Sequence, residues 1–172
     1  MIAIKTMPIY EKENDRHRQQ IIAQTFLDQM KVHADLPHNF VRDDVDYTLV
    51  PCPYKYIVDY FVTTDYGKVV AILECKWYWR DWTDYDWNQP LSIHKLKHLI
   101  QWSRVFKCPA FMLIRNRSGL YYLKMEQNVL TKNRVELYGR VDRGNPEDLE
   151  PMVFVEERYW DVYKVGQVRQ DG

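Results

Sequence analysis

Asp59 and the triplet Glu74-Cys75-Lys76 constrain this chain more than any other feature, because each sits in a run that reads as a β-strand. The first run, Tyr56 to Val62, is dense in β-branched and aromatic residues. The second, Lys68 to Trp77, contains the unbroken apolar stretch Val69 to Leu73, the mark of a strand covered on both faces. Between them Thr63-Thr64-Asp65-Tyr66-Gly67 carries turn chemistry, with Gly67 free to take a positive φ. Two strands joined this closely are expected to pair antiparallel.

Register then makes a spatial statement. The midpoint of Asp59 and Glu74 falls between Tyr66 and Gly67, inside the turn, so the two carboxylates should lie opposite each other. Directly opposed side chains on one face have Cβ atoms ~5 Å apart. Carboxylates that close repel unless a cation sits between them. Alternation along the strand puts Glu74 and Lys76 on one face and Cys75 on the other. Asp59, Glu74 and Lys76 are therefore expected to cluster. The simpler alternative is an ion pair of Lys76 with one carboxylate at a sheet edge. That reading leaves the second carboxylate without a role.

The flanking segments are equally patterned. Residues 12–33 predict an amphipathic helix, started by Asn14 or Asp15, with Ile22, Phe26, Met30 and His33 at helical spacing. Phe40-Val41 and Tyr47 to Val50 are ambiguous, each readable as strand. Ser92 is placed to cap a second helix running to Phe106, with Ile93, Leu96 and Ile100 inward, stopped by Cys108-Pro109. Ala110 to Ile114 reads as a buried strand, Asn116 to Gly119 as a turn, and Leu120 to Lys124 as the returning strand. Beyond residue 126, Arg134 to Tyr138 and Met152 to Val155 read as strands, with Tyr159 to Tyr163 packing nearby.

This order of helix, strands, helix and strand, together with Asp59 and Glu74-Cys75-Lys76, resembles the PD-(D/E)xK nuclease superfamily over residues 11–125. Val58 stands where that family's proline would be. The resemblance implies an α/β fold with a restriction-endonuclease-like α-β-β-β-α-β core, a mixed central sheet flanked by helices. It implies that Asp59 and Glu74 hold magnesium or manganese, hard cations that prefer oxygen ligands, with the carbonyl of Cys75 as a third ligand. Lys76 would position a water or neutralise developing charge. The implied reaction is hydrolysis of phosphodiester bonds in DNA, by an endonuclease of junction-resolvase, repair or phage type. Many relatives add a Glu from the first helix. Here Glu11 and Glu13 stand at its very start, where they could equally favour the helix dipole.

Composition bears on partners and compartment. With 172 residues, 46% of them hydrophobic and 28% charged, the chain is expected to form one domain, residues 1–172, with 126–172 a C-terminal extension of the core. No stretch approaches the ~20 apolar residues of a membrane span, and the N-terminus shows no signal-peptide pattern. The three cysteines, Cys52, Cys75 and Cys108, form no Cys-x-x-Cys pair, which speaks against a zinc ribbon or disulfide framework and for a cytoplasmic setting. Net charge is zero, yet residues 95–143 carry 11 basic against three acidic side chains. That local excess suits a phosphate backbone, or is ordinary solvated surface.

Lys95, Lys97, Arg104, Arg115 and Arg117 are the candidate nucleic-acid contacts in this stretch. Trp79 and Trp82, in the tryptophan-rich segment after Lys76, could stack on bases, form a homodimer contact or cover the sheet. His94 and His98, one helical turn apart, read as a solvated pair rather than a metal site, since no His-Glu-x-x-His pattern surrounds them. No phosphate-binding loop, dinucleotide-binding turn or nucleophile elbow occurs. The rival reading from another class is a non-catalytic DNA- or protein-binding protein that keeps the nuclease fold.

Overall fold

The unbroken apolar run Val69 to Leu73 becomes the spine of the molecule. The computed structural model describes residues 13–53, 58–78, 88–139 and 149–163. In it, β3 (Val69–Trp77) is flanked on one side by β2 (Tyr60–Thr64) and on the other by β5 (Ala110–Arg115). The sheet is completed outward by β1 (Tyr47–Pro51) beyond β2, and by β6 (Leu120–Lys124) and β9 (Asp161–Tyr163) beyond β5. Only β3 and β5 run parallel; every other neighbouring pair is antiparallel, so the sheet is mixed.

Helices cover the two faces, as the alternation of β3 requires. On one face α1 (Glu13–Val32) buries Ile22, Phe26 and Met30 against Leu73, Cys75 and Phe111. On the other, α2 (Ile93–Phe106) buries Leu96, Leu99 and Ile100 against Ile72, Met112 and Ile114. Glu74 and Lys76 therefore belong to the α2 face and Cys75 to the α1 face. Buried apolar surface stabilises such layers by roughly 25 cal/mol per Å².

A second sheet lies on the α2 side. It joins β4 (Asn88–Ser92), β8 (Leu149–Glu156) and β7 (Arg134–Gly139), in the order β4-β8-β7. Leu91, Val153 and Val155 pack into the same core as α2. Pro90 is tolerated because β4 is an edge strand. A short helix, α3 (Gln127–Lys132), precedes β7, and the turn Glu157–Tyr159 leads into β9. The strands expected in residues 126–172 thus form, but most of them build this extra sheet.

Several local expectations are corrected. Phe40-Val41 is not a strand, whereas Tyr47 to Val50 is. The first hairpin strand starts at Tyr60 rather than Tyr56; residues 54–57 lie outside the described residues, and Asp59 sits one residue ahead of the strand. Asp15 lies inside α1, pairing with Arg18 at 3.7 Å, instead of capping it. Ser92 occupies the N-cap position of α2 but makes no cap hydrogen bond. Its hydroxyl donates instead to Oε2 of Glu150, 2.7 Å away on β8.

Candidate active site

The hairpin sets the site. Tyr60 pairs with Leu73 and Phe61 with Ile72, which brings Asp59 and Glu74 together just past the end of the ladder. The N–H of Asp59 donates at 3.0 Å to the carbonyl of Leu73, the residue that Tyr60 faces, which ties Asp59 to β3 although it lies outside the strand. Nearer the turn, a bulge between Val62 and Thr63 shifts the register by one, and Gly67 closes the loop with φ +74° and an N–H bond to the Thr64 carbonyl. The bulge and the three-residue loop Asp65-Tyr66-Gly67 offset each other, so the pair Tyr60 and Leu73 shares the midpoint that Asp59 and Glu74 have in the sequence.

Asp59 and Glu74 occupy different electrostatic settings. The backbone N–H of Cys75 donates to Oδ2 of Asp59 at 2.6 Å, fixing that carboxylate beside β3. Burial, then the neighbouring Glu74, push the Asp59 carboxyl up to about 7, against the pull of Lys76, the Cys75 N–H and Lys95. Glu74 is fully buried, at 0% exposure, and its Oε2 has no hydrogen-bond partner. Such a charge in the interior is expensive unless cations approach it. Two do: Nζ of Lys76 lies 3.1 Å and Nζ of Lys95 2.9 Å from Oε1. Burial opposes the charge on Lys76, but Glu74 and Asp59 more than offset it and hold the ammonium above its ordinary range. Burial, with Asp59 and Glu74 nearby, also raises the Cys75 thiol far out of reach of ionisation. Cys75 can contribute its backbone and not a thiolate.

The structure thus brings Asp59, Glu74 and Lys76 together, and adds Lys95. Sequence reasoning placed Lys95 among the phosphate contacts; its position against Glu74 was missed. The available signal was that Lys95 stands in the first turn of a helix that must cover the Glu74 face. Lys97, Arg104 and Arg117 are exposed, Arg104 reaching Oε1 of Gln127 at 3.4 Å. Arg115 aligns with Trp77 at the end of β5, on the Cys75 side of the sheet by alternation, and burial lowers its pKa. Arg18 stacks over Trp77 on that same face, 5.9 Å from the ring centroid. Glu11, Trp79 and Trp82 lie outside the described residues, as does the side chain of Glu13. Among the described residues no cluster of three or more His, Cys, Asp and Glu side chains forms, so the carboxylates stand as a pair. No helix of the described residues is long and apolar enough to cross a membrane.

No curated protein matches the chain. Among solved structures, Hjc, a Holliday junction resolvase from the archaeal hyperthermophile Archaeoglobus fulgidus, is similar at 10% identity and a TM-score of 0.46, over 88% of this chain and 94% of that one. The family described as "Phage putative PDDEXK endonuclease" matches residues 5–161. With its helix-covered mixed sheet and its Asp59 and Glu74-Cys75-Lys76 hairpin, the chain belongs to this phage PDDEXK endonuclease family.

Proposed function

We propose that the protein is a metal-dependent endonuclease that hydrolyses phosphodiester bonds in DNA, with Asp59, Glu74 and Lys76 at its catalytic centre. The observation that carries the reading is the buried pair itself. Asp59 lies beside Glu74, its carboxyl raised by burial and then by that neighbour, while Oε2 of Glu74 has no hydrogen-bond partner. Paired oxygen donors of this kind suit magnesium or manganese.

The donor set fits such an ion. Asp59 and Glu74 would hold it, with the Cys75 carbonyl as third ligand. In a strand the N–H and C=O of one residue project to the same side. The Cys75 N–H points at Asp59, so the Cys75 carbonyl projects towards Asp59 as well. When bound, the ion supplies Lewis acidity to an attacking water and neutralises charge at the phosphate.

The chain's own residues do the remainder. Lys76, with 37% of its side chain exposed, keeps its proton and reaches both Glu74 and solvent. It can hold a phosphate oxygen or orient the water. Lys95 adds a second fixed positive charge on the same side. The apolar walls from Ile72, Met112 and Leu96 exclude water behind the pair and strengthen these interactions. DNA contacts by Lys97, Arg104 and Arg117 would act through the phosphate backbone, whereas Arg115 faces the Cys75 side, away from the carboxylate pair.

Plasmid DNA incubated with magnesium tests the reading. The wild-type protein should nick or linearise it, and Glu74→Ala should be slower by at least about 100-fold. Absence of cutting by the wild type, or equal cutting by the variant, overturns it and leaves a fold-retaining binding protein.

A further inference from the structure

Beside the carboxylate pair, the second sheet, α2 and the end of β3 line an open cavity of about 460 Å³. Pockets for nucleotide-sized ligands generally span ~300–1,000 Å³. Lys76 and Lys95 border it, so it opens directly onto the amines that hold Glu74. Tyr78, Leu91, Met112 and Met152 give it apolar walls. Ser92 and Glu150 line it too, joined by their hydrogen bond. His98 also faces it, and Nδ1 of that ring is buried with no hydrogen-bond partner.

We propose that this cavity receives a single unstacked base of the substrate strand, next to the phosphodiester that is cut. The inference rests on the nuclease reading above and adds how the substrate is held. A phosphate alone accounts for Lys76 and Lys95 at the rim but leaves Glu150 and the apolar walls without a partner. A flat heterocycle with N–H donors on its edge suits both halves. Its faces lie against Tyr78 and the methionines, and its edge donates to Glu150, whose second oxygen Ser92 leaves free. Enzymes that act on nucleic acid commonly read an extruded base in this way, by apolar contact on its faces and hydrogen bonds on its edge.

Glu150 then discriminates. Guanine and cytosine present amino or imino donors to a carboxylate; thymine offers one imino N–H between two carbonyls that the carboxylate repels. The diversion of Ser92 from capping α2 to holding Glu150 is explained on the same basis, since an oriented carboxylate reads an edge better than a free one.

The ring signals of His94 and His98 report on the cavity in an NMR titration with dGMP, dCMP, dTMP and deoxyribose 5-phosphate, without metal. The expected result is that dGMP and dCMP shift the His98 signals and bind at least about tenfold more tightly than dTMP and the sugar phosphate. Glu150→Gln, which retains an acceptor for Ser92, should bring dGMP within about threefold of dTMP. Filling the cavity with Met152→Trp should abolish the shifts. Equal binding of the sugar phosphate, a preference unchanged in Glu150→Gln, or no His98 shift with any nucleotide overturns the proposal. Failure of the nuclease reading shows separately, as absent plasmid cutting while the base-dependent shifts persist. Intact cutting without those shifts removes the base pocket alone.

Discussion

The ammonium of Lys95 lies 2.9 Å from Oε1 of Glu74, reaching from the first turn of α2 to a carboxylate on β3. Lys76 meets the same oxygen from along the strand at 3.1 Å. One buried carboxylate therefore answers to two amines from separate elements, and helix position is coupled to the charge at the site.

Removing Lys95 should damage catalysis without unmaking the site, because Lys76 stays on Glu74. We expect Lys95→Met to slow magnesium-dependent cutting about 10- to 100-fold. Lys95 is one of the groups that hold the Asp59 carboxyl down. Its loss raises Asp59 further, and the acid limb of the pH–rate profile should move to higher pH. An unchanged rate with an unchanged limb would show that Lys95 is only a structural partner.

Asp59 also makes a stability prediction. Its carboxyl stands at about 7 in the folded protein, against 3.8 ordinarily. Between those values the folded state binds more protons than the unfolded chain, so stability falls as pH rises. Without metal, the wild type should lose on the order of 1–3 kcal/mol between about pH 5 and about pH 8 relative to Asp59→Asn. Urea denaturation in EDTA measures it, and added manganese should reverse the loss. Parallel pH profiles for the two proteins would contradict the assignment.

The hairpin depends on Gly67. A Cβ there would meet nothing within 4 Å, so only the backbone, at φ +74°, opposes a side chain. Gly67→Ala should cost about 1 kcal/mol, and Gly67→Asn less, because Asn tolerates the left-handed region. Urea midpoints that rank Ala at or above Gly would rule out this turn.

On the opposite face, Phe26 is 1% exposed and its ring meets Phe111 at 5.1 Å and Tyr122 at 5.3 Å between centroids. Phe26→Ala should destabilise the fold by about 3–5 kcal/mol. A thermal unfolding shift corresponding to less than about 1 kcal/mol would mean that α1 does not dock as described.

The site was legible where local chemistry fixes geometry. Turn residues around Gly67 and the period of two in β3 were enough to bring Asp59 and Glu74 together, and the bulge near Val62 cancelled its own effect on register. Lys95 was misjudged because a helical pattern gives a buried face but not the azimuth or height at which it docks on a sheet. The second sheet was missed for a different reason. Its edge strand, Asn88-Gln89-Pro90-Leu91-Ser92, has no alternation and contains a proline, and its partner β8 comes more than 50 residues later. Ser92 looked like a helix cap because the residue type suits that role, whereas the competing acceptor, Glu150, is distant in sequence.

If Asp59 and Glu74 jointly hold a divalent cation, the metal-free protein takes up manganese through both carboxylates. Free Mn2+ can be followed by electron paramagnetic resonance as the ion is titrated into metal-free wild type, Asp59→Asn and Glu74→Gln. We predict that the wild type withdraws the ion from solution and that each variant binds it at least about tenfold more weakly. A wild type that leaves the manganese free, or variants that bind it as tightly, would contradict the account.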